Sequence, residues 1–453
     1  MSSLLWLRRD LRLGDHPALL SAREAADGEL VVLFVVDPAL WERAGIVRTA
    51  WLAATLRALD DDLGGRLTLR VDDPVEVVPA VAREVSATDV HVTRETTPFG
   101  ARRDRRVQAA LPGEVDWVET GTPYAVGPGL VRNGSGDPYK VFTPFAKAWR
   151  AHGWPGPAAY PEGLSVVDLG RDDRADRTVD AALAAEGLPD LPPAGEQAAL
   201  ARWKAFVAED LAGYDRGRDR PADDSTSRMS PYLKLVAVHP RTLLADLREE
   251  GGTSVERFVS ELAWREFYAD VLHHHPRSAW ADLRTELSGL RYDEPDDAIE
   301  AWKRGQTGYP IVDAGMRQLL ATGWMHNRVR MITASFLTKD LHVWWPLGAR
   351  WFLERLVDGD LASNNHGWQW VAGTGTDASP YFRVFNPITQ GLKFDPRGDY
   401  VRRWVPELAH VPGRAAHQPW DHPEGYAQGY VRRIVDHAEE RRETLARYKA
   451  ARG

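Results

Sequence analysis

Three stretches in the second half of the chain are dense in side chains that can bind charge, donate hydrogen bonds or carry electrons. The first runs from Tyr214 through Arg218 and Asp219 to Thr226-Ser-Arg-Met-Ser-Pro231. Small hydroxyls followed by a proline predict a helix N-terminus with Pro231 in its first turn. Free N–H groups and hydroxyls there suit an anion such as a pyrophosphate, and they equally suit an ordinary capped helix. The second stretch is Glu261-Leu-Ala-Trp-Arg-Glu-Phe-Tyr268. At helical spacing Glu261, Trp264, Arg265 and Tyr268 share one face, which can meet a polar ligand or form a surface ion pair over a packed indole. The third joins residues 323–331 to residues 358–370. Asp358 and Asp360 flank Gly359, a common metal-binding shape, but no further carboxylates or histidines follow at calcium-loop spacing. A carboxylate can also accept hydrogen bonds from a ring or a ribose, and Asn364 offers a donor and an acceptor to a ring nitrogen. His273-His-His275 is a poor chelate, because successive helical residues point about 100° apart. No metal site is expected.

The elements that must position these residues divide the chain in two. Residues 4–8, 30–37, 67–71 and 89–93 read as buried strands, and the continuous apolar run at 30–36 is what a strand covered on both faces shows. Helical patterns lie between them at 16–26, 48–63, 75–85 and 99–111. This alternation predicts an α/β domain with a doubly wound parallel sheet, Rossmann-like, over residues 1–125. It lacks the G-x-G-x-x-G fingerprint of dinucleotide sites. Residues 126–196 are rich in Pro and Gly and, at 168–180, in charge; they read as a connector over the surface. Residues 197–453 carry helical patterns at 198–211, 240–249, 254–273, 311–321, 329–338, 348–356 and 429–449, and predict an all-α domain.

Bulk composition narrows the classes. A chain of 453 residues with 27% charged and 43% hydrophobic residues is ordinary for a globular protein of two domains. No apolar run reaches the roughly 18 residues of a spanning helix, and the apolar start is too short for a signal peptide. A cytoplasmic location is expected. There is no Cys, which excludes disulfides, thiolate metal sites and a thiol nucleophile. The net charge of −8 argues against nucleic acid, yet binding is decided by the local patch. Residues 381–404 carry Arg383, Lys393, Arg397, Arg402 and Arg403 against Asp395 and Asp399. The 18 tryptophans raise the question of whether some serve chemistry as well as packing.

Together these segments resemble the DNA photolyase/cryptochrome family, and specifically its class I cyclobutane-dimer photolyases. The resemblance rests on residues 226–231, 261–268, Thr307-Gly-Tyr-Pro-Ile-Val-Asp-Ala314, 323–336 and 358–391, and extends to Leu5-Trp-Leu-Arg-Arg-Asp-Leu-Arg12. It implies an α/β antenna-type domain followed by a helical FAD-binding catalytic domain. By motif position, Tyr214, Thr226, Ser227, Arg228, Met229 and Ser230 would hold FAD at its phosphates. Asp358, Gly359 and Asp360 would contact the ring and ribose, Arg330 would pair with Asp358, and Asn364 would face the flavin N5. Glu261, Trp264, Asn327, Met331 and Trp370 would line the pocket for a flipped-out pyrimidine dimer, photolyases being a standard example of enzymes that must take a base out of the stack to act on it. Glu261 would bond a thymine and stabilise its radical anion. Arg218, Arg265, Tyr268, Arg328 and Gln390 would contact DNA, largely through its backbone. The implied reaction is electron transfer from light-excited FADH⁻ to the dimer, cleavage of the cyclobutane ring, and return of the electron.

The resemblance also implies photoreduction of the flavin through Trp368 and Trp345, with Tyr292 where the family has an outer tryptophan; Trp302 is a possible substitute. Residues 234–238, Lys-Leu-Val-Ala-Val, lack the Phe-Gly that the family places after the phosphate motif. Pro98-Phe-Gly-Ala-Arg-Arg-Asp104 resembles members that carry 8-hydroxy-5-deazaflavin as antenna. The alternative is a cryptochrome-like blue-light receptor without repair; Asn364, Glu261, Met331 and the lack of a long tail after residue 449 favour repair. Damaged DNA is the expected partner, of a protein acting as a monomer.

Overall fold

The computed structural model describes residues 2–26, 29–376 and 383–451. The chain forms two compact units: one of Met1–Leu211, Ser227–Pro276 and Val357–Gly359, the other of Ala212–Thr226, Arg277–Leu356 and Asp360–Gly453. No described helix is long and apolar enough to cross a membrane.

The first unit is built on a parallel sheet. Its strands are β1 (Ser2–Leu7), β2 (Glu29–Val36), β3 (Thr68–Val71), β4 (Ala87–Val92) and β5 (Asp116–Glu119), in the order β3-β2-β1-β4-β5. Every residue of β1 and all but the first of β2 are buried, because these central strands are covered on both faces. The crossovers are α1 (Pro17–Ala25), α2 (Ile46–Asp62), α3 (Pro74–Glu84) and α4 (Pro98–Ala110). Helices α1, α3 and α4 each begin on a proline behind a capping side chain: His16, Asp73 and Thr97 accept the N–H of Leu19, Val75 and Gly100. The sheet is therefore the doubly wound one expected from the sequence. Strand β5 was not anticipated: four residues long, at a sheet edge and with acidic ends, it reads as a charged loop.

The strand order reverses at β1, and the loops after β1 and β4 flank the resulting crevice. Arg8 and Arg103 lie 4.8 and 4.9 Å from the centre of the Trp6 ring. Both pair with Asp104, at 3.0 and 2.8 Å, while Arg9 pairs with Glu95 at 3.3 Å.

The unit continues with α5 (Phe142–His152), α6 (Asp173–Leu183), α7 (Glu196–Glu209), α8 (Ser230–Leu235), α9 (Pro240–Asp246) and α10 (Thr253–His274). Two of these fall in the stretch read as connector. The charge-dense residues near 175 form a capped amphipathic helix: Asp172 accepts the N–H of Arg174 and Ala175, and Ala175, Val179 and Ala182 are buried. Arg57 of α2 holds α6 in place through Asp176 and Asp180, at 2.8 and 2.6 Å. The divergent residues after α8 carry a cost. Val236 is fully buried at φ 48°, a left-handed conformation that is strained for a β-branched side chain and free for glycine.

The second unit is helical: α11 (Asp296–Arg304), α12 (Pro310–Thr322), α13 (Asn327–Ser335), α14 (Trp345–Arg355), α15 (Leu361–Ala372), α16 (Pro387–Phe394), α17 (Asp399–Trp404) and α18 (His437–Ala451). Its core gathers Trp302, Tyr309, Met316, Phe336, Trp345, Trp368 and Tyr400. Two expectations are corrected. The helix expected to continue to residue 338 changes at Phe336 to a π turn through Asp340. The pattern at 429–449 becomes helical only at His437. Before that, Tyr430 donates to Asp313, Ile434 N–H to Thr307 O, and Val435 O accepts from Tyr309, so the segment is pinned as an extended strap.

Asp313 is the hub of that strap. Fully buried, it accepts from Thr307 N (2.7 Å), Thr307 Oγ1 (2.6 Å), Gly308 N (3.0 Å) and Tyr430 OH (2.6 Å). Asp313→Ala leaves these donors without an acceptor, and we expect it to cost at least about 3 kcal/mol in urea unfolding, against about 1 kcal/mol for Tyr430→Phe.

In the first unit, buried His239 bonds Thr122 O at 2.8 Å and lies 3.1 Å from Asp15. Burial, opposed by Asp15 and assisted by Arg12, holds its pKa down to about 4 from 6.5, so the ring is neutral at physiological pH. The unfolded chain takes up this proton more readily, so stability rises with pH from 4 to 6.5 and is lost on acidification through that window. We expect His239→Gln to flatten the slope of unfolding free energy against pH there.

Candidate functional site

Within the first unit, residues 227–230 make a tight turn into α8. Ser227 Oγ accepts the N–H of Met229 at 3.3 Å, Ser227 O accepts from Arg202 Nε at 3.0 Å, and Arg228 takes φ 56°. Pro231 stands in the first turn of α8, as the sequence indicates, but no side chain caps the helix. Ser230 Oγ instead donates to Asp358 Oδ2 at 2.5 Å, bringing the first motif to the carboxylate of the third. Asp358 is buried.

Helix α10 shows why its motif reads as it does. Glu261, Trp264, Arg265 and Tyr268 are half-buried on one face, while Leu262, Ala263, Glu266 and Phe267 are buried. Trp264 stacks on Phe142 of α5, ring centres 3.7 Å apart and planes 8° from parallel, and Tyr268 lies 5.3 Å from it. One face of the indole is thus already covered. Arg265 donates to Pro123 O and Leu233 O at 3.0 and 2.9 Å and lies over Tyr124, so its guanidinium braces main chain. Behind the face, Glu266 accepts the N–H of Ala125, Val126 and Gly127, and burial raises its pKa. Phe142 and Glu266 lie outside the residues that sequence reasoning selected; Glu266 carried a signal as a carboxylate on the apolar side of an otherwise clear helix pattern.

In the second unit, Tyr214 is buried at the start of a short turn, with Arg218 5.8 Å over its ring. Ser225 Oγ is buried without a partner among the described residues. Asp360 caps α15, accepting the N–H of Ser363 at 3.0 Å. Asn364 then shows a fixed amide. Its Nδ2 donates to Ala349 O at 3.0 Å and to Asn365 Oδ1 at 2.8 Å, and Asn365 Nδ2 donates in turn to Ala279 O. With both protons committed, Asn364 presents Oδ1 as an acceptor. Asn365, fully buried, sets this orientation and was not anticipated.

Asn327 opens α13 and is exposed; Met331, one turn on, is half-buried. Arg328 pairs with Asp219 at 2.7 Å and covers Phe394 at 4.4 Å. Arg330 Nε donates to Met325 O at 2.7 Å. Trp370 is half-buried under Arg383 at 5.8 Å, and Gln390 sits half-buried on α16. Residues 381 and 382 of the basic segment lie outside the described residues. Among the rest, Arg397 and Arg402 both pair with Asp399, at 2.7 and 2.6 Å, while Lys393 and Arg403 lie over the rings of Phe394 and Trp404.

Trp368 and Trp345 are buried. Gly348, one turn beyond Trp345 on α14, lies against the Trp368 ring: a Cβ there would stand 2.2 Å from Trp368 Cη2. Trp302 cannot be an outer tryptophan. It is fully buried, donates to Thr333 O at 3.0 Å, and lies 6.1 Å edge-on to Trp368.

Comparison with known proteins agrees with these motifs. The family described as the FAD binding domain of DNA photolyase matches residues 258–450, and that described as DNA photolyase matches residues 3–162. The deoxyribodipyrimidine photo-lyase of Streptomyces griseus is 44% identical, over 98% of this chain and 97% of its own. A bacterial class III photolyase from Agrobacterium tumefaciens is similar in structure, with TM-score 0.89, 36% identity and coverage of 99% and 97%. A cryptochrome from Synechocystis follows at TM-score 0.88, 26% identity and coverage of 98% of each chain.

The amide relay yields a test of its own. We expect Asn365→Ala, which strands the Asn364 amide and Ala279 O, to lower stability by roughly 1–3 kcal/mol in urea unfolding.

Proposed function

The chain belongs to the DNA photolyase family, and from that premise we propose that it is a deoxyribodipyrimidine photo-lyase: an FAD enzyme that uses blue light to split cyclobutane pyrimidine dimers in DNA. The full-length likeness to a named photo-lyase, 44% identical over 98% of this chain, carries the reading.

The donor set suits FAD. The Ser225 hydroxyl, without a partner among the described residues, and the turn at residues 226–230 offer donors of the kind a pyrophosphate needs, and Asn364 Oδ1 suits a ring N–H. We assign FAD binding to Tyr214, Thr226, Ser227, Arg228, Met229, Ser230, Arg330, Asp358, Gly359, Asp360 and Asn364. Bound there in its reduced form, FAD supplies the light-driven electron that the dimer accepts and returns. The remaining work is the protein's own. Trp264 and Trp370 offer apolar faces to the dimer, and Phe142 behind Trp264 fixes its plane. Glu261, Asn327 and Met331 are assigned to the dimer as well, Glu261 to meet charge that develops on a pyrimidine carbonyl. Arg218, Arg265, Tyr268, Arg328 and Gln390 are assigned to DNA; Arg265 must give up Pro123 O or Leu233 O to reach it, and Arg328 must exchange Asp219 for phosphate, a near-even trade in solvent. Tryptophans 368 and 345 are assigned to photoreduction.

We propose 8-hydroxy-5-deazaflavin as antenna on the strength of residues 98–104 and of the crevice at the strand-order switch. Protein made in a host that supplies this compound should then show a second chromophore beside flavin. We further read the protein as a monomer acting in the cytoplasm.

The likeness to a cryptochrome, at TM-score 0.88, supports a second reading, a photoreceptor without repair. One experiment separates the two. Protein reduced under anaerobic conditions is mixed with an oligothymidine carrying cyclobutane dimers and lit with blue light. We expect the thymine absorbance to recover in light only, and Glu261→Ala to slow recovery by about tenfold or more, the scale of one lost charge-stabilising contact. A bound flavin with no recovery would make the protein a receptor.

A further inference from the structure

An exposed aromatic side chain lies where the buried tryptophans of the second unit end. Trp345 is fully buried and donates Nε1–H to Asp282 Oδ1 at 2.7 Å. Its chain neighbour Trp344 is 42% exposed, with its ring centre 6.5 Å from that of Trp345 and its Nε1 3.5 Å from the same carboxylate oxygen. Tyr292, the residue at the family's outer position, has its ring 6.3 Å from Trp344.

These neighbours differ in what they can do with a proton. An oxidised phenol must lose its proton at once to be a stable resting place for the hole. The Tyr292 hydroxyl is buried, and no described residue stands within hydrogen-bond reach to accept its proton. Burial and the nearby Asp282 also push its pKa up. An oxidised indole can carry the charge first and shed its Nε1 proton afterwards. Trp344 combines access to water with the carboxylate of Asp282 beside its nitrogen, and that negative charge favours a cation.

We propose that Trp344, not Tyr292, is the outer end of the photoreduction route. The proposal rests on the flavin-enzyme reading above. The bound oxidised flavin, once excited, is the oxidant. One electron leaves Trp368 and is replaced from Trp345, with Gly348 holding the Trp368 ring against α14 one turn away. The electron on Trp345 is replaced from Trp344. The hole then resides on Trp344, whose Nε1 proton goes to water. A soluble thiol returns one electron and one proton to the indole, and two such thiols close to a disulfide over two turns of the cycle.

The test is flash excitation of the full-length, FAD-loaded protein with oxidised flavin. It reads the spectrum and lifetime of the aromatic radical and the rate of photoreduction with added dithiothreitol. We expect Trp344→Phe to lose the long-lived radical and to slow photoreduction, and Tyr292→Phe to keep an indole radical of wild-type lifetime. The wild-type radical should show the spectral change of an indole that loses a proton to water, with no phenoxyl signal. A phenoxyl spectrum, loss of the radical in Tyr292→Phe, or its persistence in Trp344→Phe would each overturn the proposal. Flavin stoichiometry and circular dichroism establish that Trp344→Phe is folded; Trp344→Tyr, which keeps the aromatic volume, should also lose the indole signal. Repair of dimers by chemically reduced wild-type protein reports separately on the functional reading, since that reaction needs no photoreduction.

Discussion

Buried carboxylates that gather the N–H groups of loops are the interaction on which both units depend. The chain has long irregular segments, and their amides must find acceptors once water is excluded. In the first unit Glu196 accepts from Leu13 and Gly14, Glu266 from Ala125, Val126 and Gly127, and Asp270 from Gly129. In the second, Asp313 gathers Thr307, Gly308 and Tyr430, and Asp395 gathers Tyr400 and Val401. Glu196, Glu266 and Asp313 each collect two or more donors from loops, Asp395 takes two N–H groups from the first turn of α17, and Asp270 takes one, with Glu266 one turn away taking the rest. Gly14 shows how tight the arrangement is: a Cβ there would stand 2.5 Å from Glu196 Oε1. Burial raises the pKa of Glu266, Asp313 and Asp395, the cost of keeping a charge where the amides need it.

This constraint explains which parts of the molecule were legible in the sequence. The strands and crossover helices announce themselves, because apolar periodicity reports burial directly. The face of α10 was legible for the same reason: Glu261, Trp264, Arg265 and Tyr268 interrupt an apolar pattern at helical spacing, and they are the half-buried residues of that segment. What periodicity cannot report is a partner distant in sequence. Asp313 stood inside a motif that resembled the photolyases, with nothing to say that it anchors a strap 117 positions away. Asp360 read as a candidate ligand and also caps a helix; the two uses call for the same residue type. Helix α6 was hidden because its buried face is only Ala175, Val179 and Ala182 beneath many charges.

The candidate site draws on rigidity of a different kind. Asn364 can orient its oxygen because Ala349 O and Asn365 Oδ1 use up both of its amide protons, with Asn365 itself held by Ala279 O; an amide left to rotate would present donor and acceptor alike. Trp264 is held by Phe142, and Trp368 by the bare backbone of Gly348. In each case the residue that would act is ordinary in type; its neighbour makes it specific. The sequence displays the first and conceals the second, which is why Phe142, Gly348 and Asn365 escaped notice.

The same buried carboxylates resolve the apparent conflict between a net charge of −8 and a DNA substrate. Among the described residues, eleven acidic side chains are buried: Asp10, Asp15, Asp60, Asp104, Glu196, Glu266, Asp270, Asp313, Asp340, Asp358 and Asp395. Only three cations are, Arg12, Arg103 and Lys339. The buried surplus is eight negative charges, equal to the formal excess of the whole chain. Several of these acids are solvated by loop amides, and Asp10, Asp15 and Asp104 lie beside arginines. The acidic excess thus belongs to the framework that holds the loops, leaving acids and bases nearly balanced elsewhere. On such a background a modest local cluster is enough to set the sign of the field that a phosphate backbone meets.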